Sequence, residues 1–209
     1  MSKLTFTAVS TLGAGAAGTG GFLLMKELQT PKIKFKDKYS HALIKDSDNL
    51  WDSKFALLKA ANPEPKHPKL LQAFKDSKES SKESGAKELM KQTCTSLHEE
   101  VMSSDYVKDF EKYCAKNNKD ASKITWNDEA NSSDKWNASL TALKSHDYVN
   151  NGELGKELAD LKTKIASLNS YENAHREELK KWCDKVKDHV YWGSHSKEFK
   201  QQELYCKKT

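Results

Sequence analysis

The sequence predicts an all-α protein: an N-terminal transmembrane or signal-anchor helix followed by a helical bundle built from two related, disulfide-pinned helical modules. Three observations carry that expectation. Residues 4–25, LTFTAVSTLGAGAAGTGGFLLM, contain no charge. The rest is rich in Ala, Leu, Lys and Glu, which favours helix, and lacks the long alternating β-branched runs that strands need. A Trp-led amphipathic segment and an aromatic-Cys pair each occur twice, in the same order. The expected divisions are an anchor or signal segment at 1–30, a first module at 31–120 and a second at 121–209.

The apolar stretch is bracketed by Lys3 and Lys26. As a helix it would rise about 33 Å, enough to cross a bilayer core. Ala14 with Gly18, and Ala17 with Gly21, have the small-xxx-small spacing that lets two such helices approach closely. Cleavage after a short apolar core is the rival reading, because Ala14-Gly15-Ala16 fits a small-residue cleavage site. It would leave Phe22-Leu23-Leu24-Met25 as an apolar terminus, so an uncleaved anchor is preferred. Five lysines follow the stretch closely and one precedes it, which by the positive-inside rule places the body in the cytoplasm. The cysteines argue the other way. Lys32, Lys34, Lys36 and Lys38 also suit contact with anionic headgroups.

The Trp-led segments come next. SDNLWDSKFALLKAAN (47–62) and SSDKWNASLTALKSHD (132–147) each open with Ser and Asp, then set Trp51, Phe55, Leu58 or Trp136, Leu140, Leu143 at i, i+4, i+7. Each reads as a capped helix with one apolar stripe. In the first module NPEPKHP (62–68) reads as extended, and KDSKESSKESGAK (75–87) as a loop or solvated helix face. In the second, apolar positions from Leu154 to Val190 step by three and four. They read as one long helical seam, with Asn169–Asn173 a place where it can kink or be interrupted.

Three of the four cysteines follow an aromatic residue directly: Tyr113-Cys114, Trp182-Cys183 and Tyr205-Cys206. Cys94 and Cys114 are equidistant from the turn signal at 103–105, and Cys183 and Cys206 from that at 192–196. In an antiparallel helical hairpin, such residues face each other at one height. Four cysteines permit three connectivities, of which Cys94–Cys114 and Cys183–Cys206 are favoured; four reduced thiols in a cytoplasmic protein are the alternative. Trp51, Phe55, Tyr113, Trp136, Trp182 and Tyr205 are the expected core aromatics. Offsets between matching landmarks drift from 85 to 92, as a duplication with small insertions would produce.

Charge and motif exclude several functions. Residues 1–45 carry seven lysines against Glu27 and Asp37, an excess equal to the chain's whole net charge of +5, so the body is balanced. Arg176 is the one arginine. Nucleic-acid binding is therefore not expected. Cys183, His189, His195 and Cys206 do not have a zinc-site spacing, and no metal or other cofactor is expected. Neither a phosphate-binding glycine loop nor a nucleophile elbow is present. Asn131 and Asn137 head glycosylation sequons.

The short glycine- and alanine-rich segment after MSKL, the Lys-rich helical body and the LKKWC-type motifs that end near a C-terminal cysteine resemble the large paralogous families of uncharacterised proteins in haemotropic mycoplasmas. The resemblance implies an expandable, surface-exposed protein set engaged in host contact or immune variation, with no catalytic residues to carry over.

The expected protein is therefore a single-pass membrane protein with an extracellular body. It acts by binding and not by catalysis, meets lipid through residues 4–25 and has a host surface protein as partner. Self-association is expected through the glycine-rich anchor helix or the 154–190 seam. The alternative is a cytoplasm-facing tethered scaffold with reduced cysteines.

Overall fold

A computed structural model describes residues 32–208. The stretch 4–25, and with it the expected anchor helix and its small-residue spacing, lies outside the described residues. From Lys32 onward the chain forms one compact unit. Among the described residues it is all-α, with eleven α-helices and no strand, only isolated β-bridges. No described helix is long and apolar enough to cross a membrane.

Two apolar clusters organise the unit. The first gathers α1 (Phe35–Lys38), α2 (Trp51–Lys59), α3 (Pro68–Asp76), α4 (Glu83–Glu99) and α5 (Val107–Asp109), which runs into a π-helical turn, Phe110–Cys114. The second gathers a 3₁₀ turn, Asp134–Trp136, with α7 (Asn137–Lys144), α9 (Lys156–Ile165), α10 (Asn173–Val186) and α11 (Lys197–Tyr205). Two one-turn helices, α6 (Asn118–Ala121) and α8 (Tyr148–Asn151), complete the series.

The apolar stripes explain the packing. Trp51, Phe55 and Leu58 bury one face of α2, as Leu140 and Leu143 do for α7 behind Trp136. Pro68 opens α3 at a first-turn position where its missing N–H costs nothing. The caps differ between the two Trp helices. Ser133 accepts from the Lys135 N–H, whereas α2 starts without a side-chain cap, and Asp48 instead accepts from the Lys45 N–H.

The seam expected over 154–190 is not one long helix: it is interrupted next to 169–173, where a kink or a break is expected. It is two helices, α9 and α10, folded into a hairpin. Glu172 caps α10 in a capping box with His175, and Arg176 donates to the carbonyls of Tyr171 and Asn131, tying the turn down. Leu158, Leu161, Ile165, Leu179, Trp182 and Val186 therefore pack within the chain's own second cluster.

The same contacts recur in both halves. The Trp51 indole N–H donates to the Lys45 carbonyl, and the Trp136 indole to the Glu129 carbonyl, both at 3.1 Å. The Phe35 N–H bonds the Glu100 carbonyl as the Asn118 N–H bonds that of His189. Lys116 reaches the Ala42 carbonyl as Lys208 reaches that of Thr125, each at 2.7 Å. The Tyr39 hydroxyl donates to Glu111, and the Ser122 hydroxyl to Glu203. Offsets between these partners run from 83 to 92 along the chain. Chemistry varies within the repeated frame: Phe35 and Phe110 pack ring on ring at 4.6 Å, where Gln202 donates from its side-chain amide to the Asn118 carbonyl.

One extended segment joins the halves. Ala115 bridges Leu43 in the first half, and Asn117 bridges Val190 in the second. The Tyr39 and Trp192 rings stack across the seam at 5.3 Å. Gly193 has φ +99°, and a Cβ there would lie 3.2 Å from the His41 ring, so both backbone and space call for glycine. Lys54, 2% exposed, reaches across to Asp120 at 2.6 Å. Removing the ammonium would leave a largely buried carboxylate without its partner. Lys54→Ala is predicted to cost about 3 kcal/mol in urea unfolding, with the helical circular dichroism of the folded state retained.

Candidate functional site

The four cysteines form the two favoured pairs. Cys94, on the buried face of α4, is bonded to Cys114 at the end of the π turn, with Cα atoms 5.1 Å apart. Cys183, on the buried face of α10, is bonded to Cys206, the residue that caps α11, with Cα atoms 5.6 Å apart. Both spacings suit an unforced bridge. Each ties a long helix to the short segment that folds back over it. Each upstream sulfur lies just under 4 Å from the carbonyl of the tyrosine before its mate, Tyr113 or Tyr205. No described cysteine is free, so none is a thiolate nucleophile or metal ligand.

The expected aromatics surround these bridges. Tyr113, Trp51 and Phe55 are buried in the first cluster, and Trp136, Trp182 and Tyr205 in the second. Tyr205 belongs to a polar arrangement that the sequence does not announce. His146 is buried, its Nε2 lying 2.8 Å from the Gly152 carbonyl and its Nδ1 bonded to the Tyr205 hydroxyl. A carbonyl only accepts, so Nε2 carries the proton and Nδ1 accepts from Tyr205. Burial foremost, with Tyr148 nearby, pushes the Tyr205 phenol up to about 12.

A second unannounced device repeats. In the first half the Asp109 carboxylate accepts from the Lys66 and His67 N–H groups at 2.7 and 2.6 Å. In the second, Gln201 accepts from the Gly155 N–H and donates to the Glu153 carbonyl. Both side chains clamp the approach to the helix that follows, α3 or α9, and each stands five residues before a bonded cysteine. A carboxylate and an amide perform the same task, which is why the sequence gives no sign of it.

Among the described residues, no group of three or more His, Cys, Asp or Glu side chains could hold a metal ion. The concavities are shallow and charge-rimmed. One between α9 and α10, of about 320 Å³, has Leu158, Leu161 and Trp182 among its lining, with Lys164, Glu178, Lys185 and Glu157 at its rim. Those four side chains are paired, Lys164 with Glu178 and Lys185 with Glu157. The arrangement offers a contact surface.

Comparison of the chain with known protein families, with curated proteins and with solved structures finds no match.

Replacing Cys183 and Cys206 together by alanine opens a loop spanning 23 residues of sequence separation and is predicted to cost about 3 kcal/mol in denaturant unfolding. A pH dependence follows from two histidines. Burial, the largest cause in each, lowers the pKa of both His67 and His98, against the weaker pull of nearby acids. Their neutral forms are favoured in the fold. The associated stability is fully present above the unfolded value of about 6.5 and is lost as pH falls through the depressed folded values. Unfolding midpoints measured from pH 8 down to 5 should fall, and His67→Gln with His98→Gln should flatten the profile.

Proposed function

We propose that this chain is a membrane-anchored surface protein that acts by binding, with its helical body on the outer, oxidising side of the membrane. The carrying observation is that all four cysteines are spent in two bridges of ordinary span. Such bonds form and persist in exported proteins, and a reducing cytoplasm opposes them. The uncharged stretch 4–25 supplies a tether of membrane-crossing length.

The body is one helical unit used twice. The recurring indole, backbone and hydroxyl contacts support this, as do the two bridges at matched positions, all in one order and with a slowly growing offset. The surface to be presented is charged and balanced. It is interrupted by the α9–α10 groove and by the exposed Tyr148-Val149 turn, which Asp147 caps. A host surface protein is the class of partner that such an exposed body would meet, in keeping with the resemblance to paralogous surface-protein families of haemotropic mycoplasmas.

Protease applied to intact cells is expected to remove residues 32–209 and leave a short membrane-bound remnant. A fully protected body, together with four thiols alkylatable in freshly lysed cells, would place it in the cytoplasm and overturn the proposal. The lysines between 26 and 38 favour that second arrangement.

A further inference from the structure

The two halves use one surface differently. In the second half, Val190 follows Cys183 by seven residues and bridges Asn117; it is 9% exposed because the first half covers it. In the first half, Val101 follows Cys94 by seven residues and sits in the equivalent bridge to Lys34, yet it is 47% exposed. Ile33, whose carbonyl accepts from the Met102 N–H beside it, is 53% exposed. The position that is an interface in one half is an open apolar edge in the other.

We infer that the Ile33–Val101 edge rests in the headgroup region of a lipid bilayer. This deepens the anchoring reading of residues 4–25 and rests on it. Chain length sets what lies within reach. Seven residues, 26–32, separate the last of the uncharged stretch from Ile33 and extend to about 25 Å at most. Two half-exposed side chains are too few for a protein partner, whose footprint is about 800 Å² a side, but suit shallow insertion between headgroups. Lys34 and Lys36 flank the edge and share the single carboxylate Glu99. In the neighbouring segments Lys32, Lys34, Lys36 and Lys38 stand against Asp37, Glu99 and Glu100, 4 − 3 = +1, which suits anionic lipid.

A second copy of the chain fits poorly. On the first half's side of the seam, Tyr39 stacks on Trp192 and Leu43 bridges Ala115. At the matching offset of 83 the second half has Ser122 and Trp126. Trp126 is already buried and bridged to Lys207, and Ser122 lacks the ring that Tyr39 supplies for stacking. In the existing seam one segment, 115–117, pairs on both sides, so two chain ends would compete for its position.

The test uses the full chain reconstituted into phosphatidylcholine vesicles containing phosphatidylglycerol. An environment-sensitive fluorophore is attached through Val101→Cys or, as control, through Val149→Cys, a site 92% exposed in the second half. Flotation reports anchoring, and quenching by a nitroxide-labelled phosphatidylcholine reports contact. The expected result is flotation of both, with blue-shifted emission and quenching at 101 and neither at 149. Flotation with position 101 unquenched, or with both positions quenched alike, overturns the inference and leaves the anchor standing. Emission at 101 that is blue-shifted yet insensitive to both lipid and aqueous quenchers means a protein segment covers the edge, which also overturns it. Failure to float removes the anchoring reading and the inference with it.

Discussion

In each half a covalent bond holds a long helix against the short segment that doubles back over it, and the packing follows from that constraint. Cys94 and Cys183 lie on the buried faces of their helices, in the C-terminal part of each. Fixing Cys114 and Cys206 to them sets the height of the returning segment. That height places Tyr113 and Tyr205 in the core, and positions Asp109 and Gln201 to clamp the chain entering α3 and α9. A body with little more than a third of its residues apolar gains most from such a link, because it limits the disorder of the unfolded chain where burial alone contributes least.

Joining the halves uses a different device. One extended segment serves both, and the seam is fastened by aromatic stacking, a glycine that leaves room for His41 and the Lys54–Asp120 pair. Apolar clusters stay separate on either side, yet the unit is continuous, because α6 and the 188–193 loop belong to the second half's frame while packing on the first. The single arginine acts locally, closing the α9–α10 turn by hydrogen bonds to carbonyls. The rest of the positive charge is lysine, suited to the exposed pairs that cover the helices.

What the sequence discloses depends on whether the chemistry is bound to a residue type. A tryptophan at the head of an amphipathic segment, and cysteines equidistant from turn signals, can be read directly, and the bridges formed as that symmetry favoured. The π turn at 110–114 left no mark, since its residues look like any helix. The Asp109 and Gln201 clamps were invisible because the same place is filled by different groups, and their partners are backbone N–H and C=O. The seam over 154–190 was legible only in part, for a related reason. Its three-and-four spacing runs on across a hairpin, since both helices face one core; the polar stretch Asn169–Asn173 marks a possible break, and the capping by Glu172 makes it one. The Lys54–Asp120 pair joins residues too far apart in sequence for any local pattern to couple them.

The most direct measurement is non-reducing peptide mapping of the protein taken from its native cells, with free thiols blocked at lysis. The account requires two cross-linked peptides, one joining Cys94 to Cys114 and the other Cys183 to Cys206, with negligible blocked thiol. Unbridged cysteines, or a bond running from one half to the other, would contradict it.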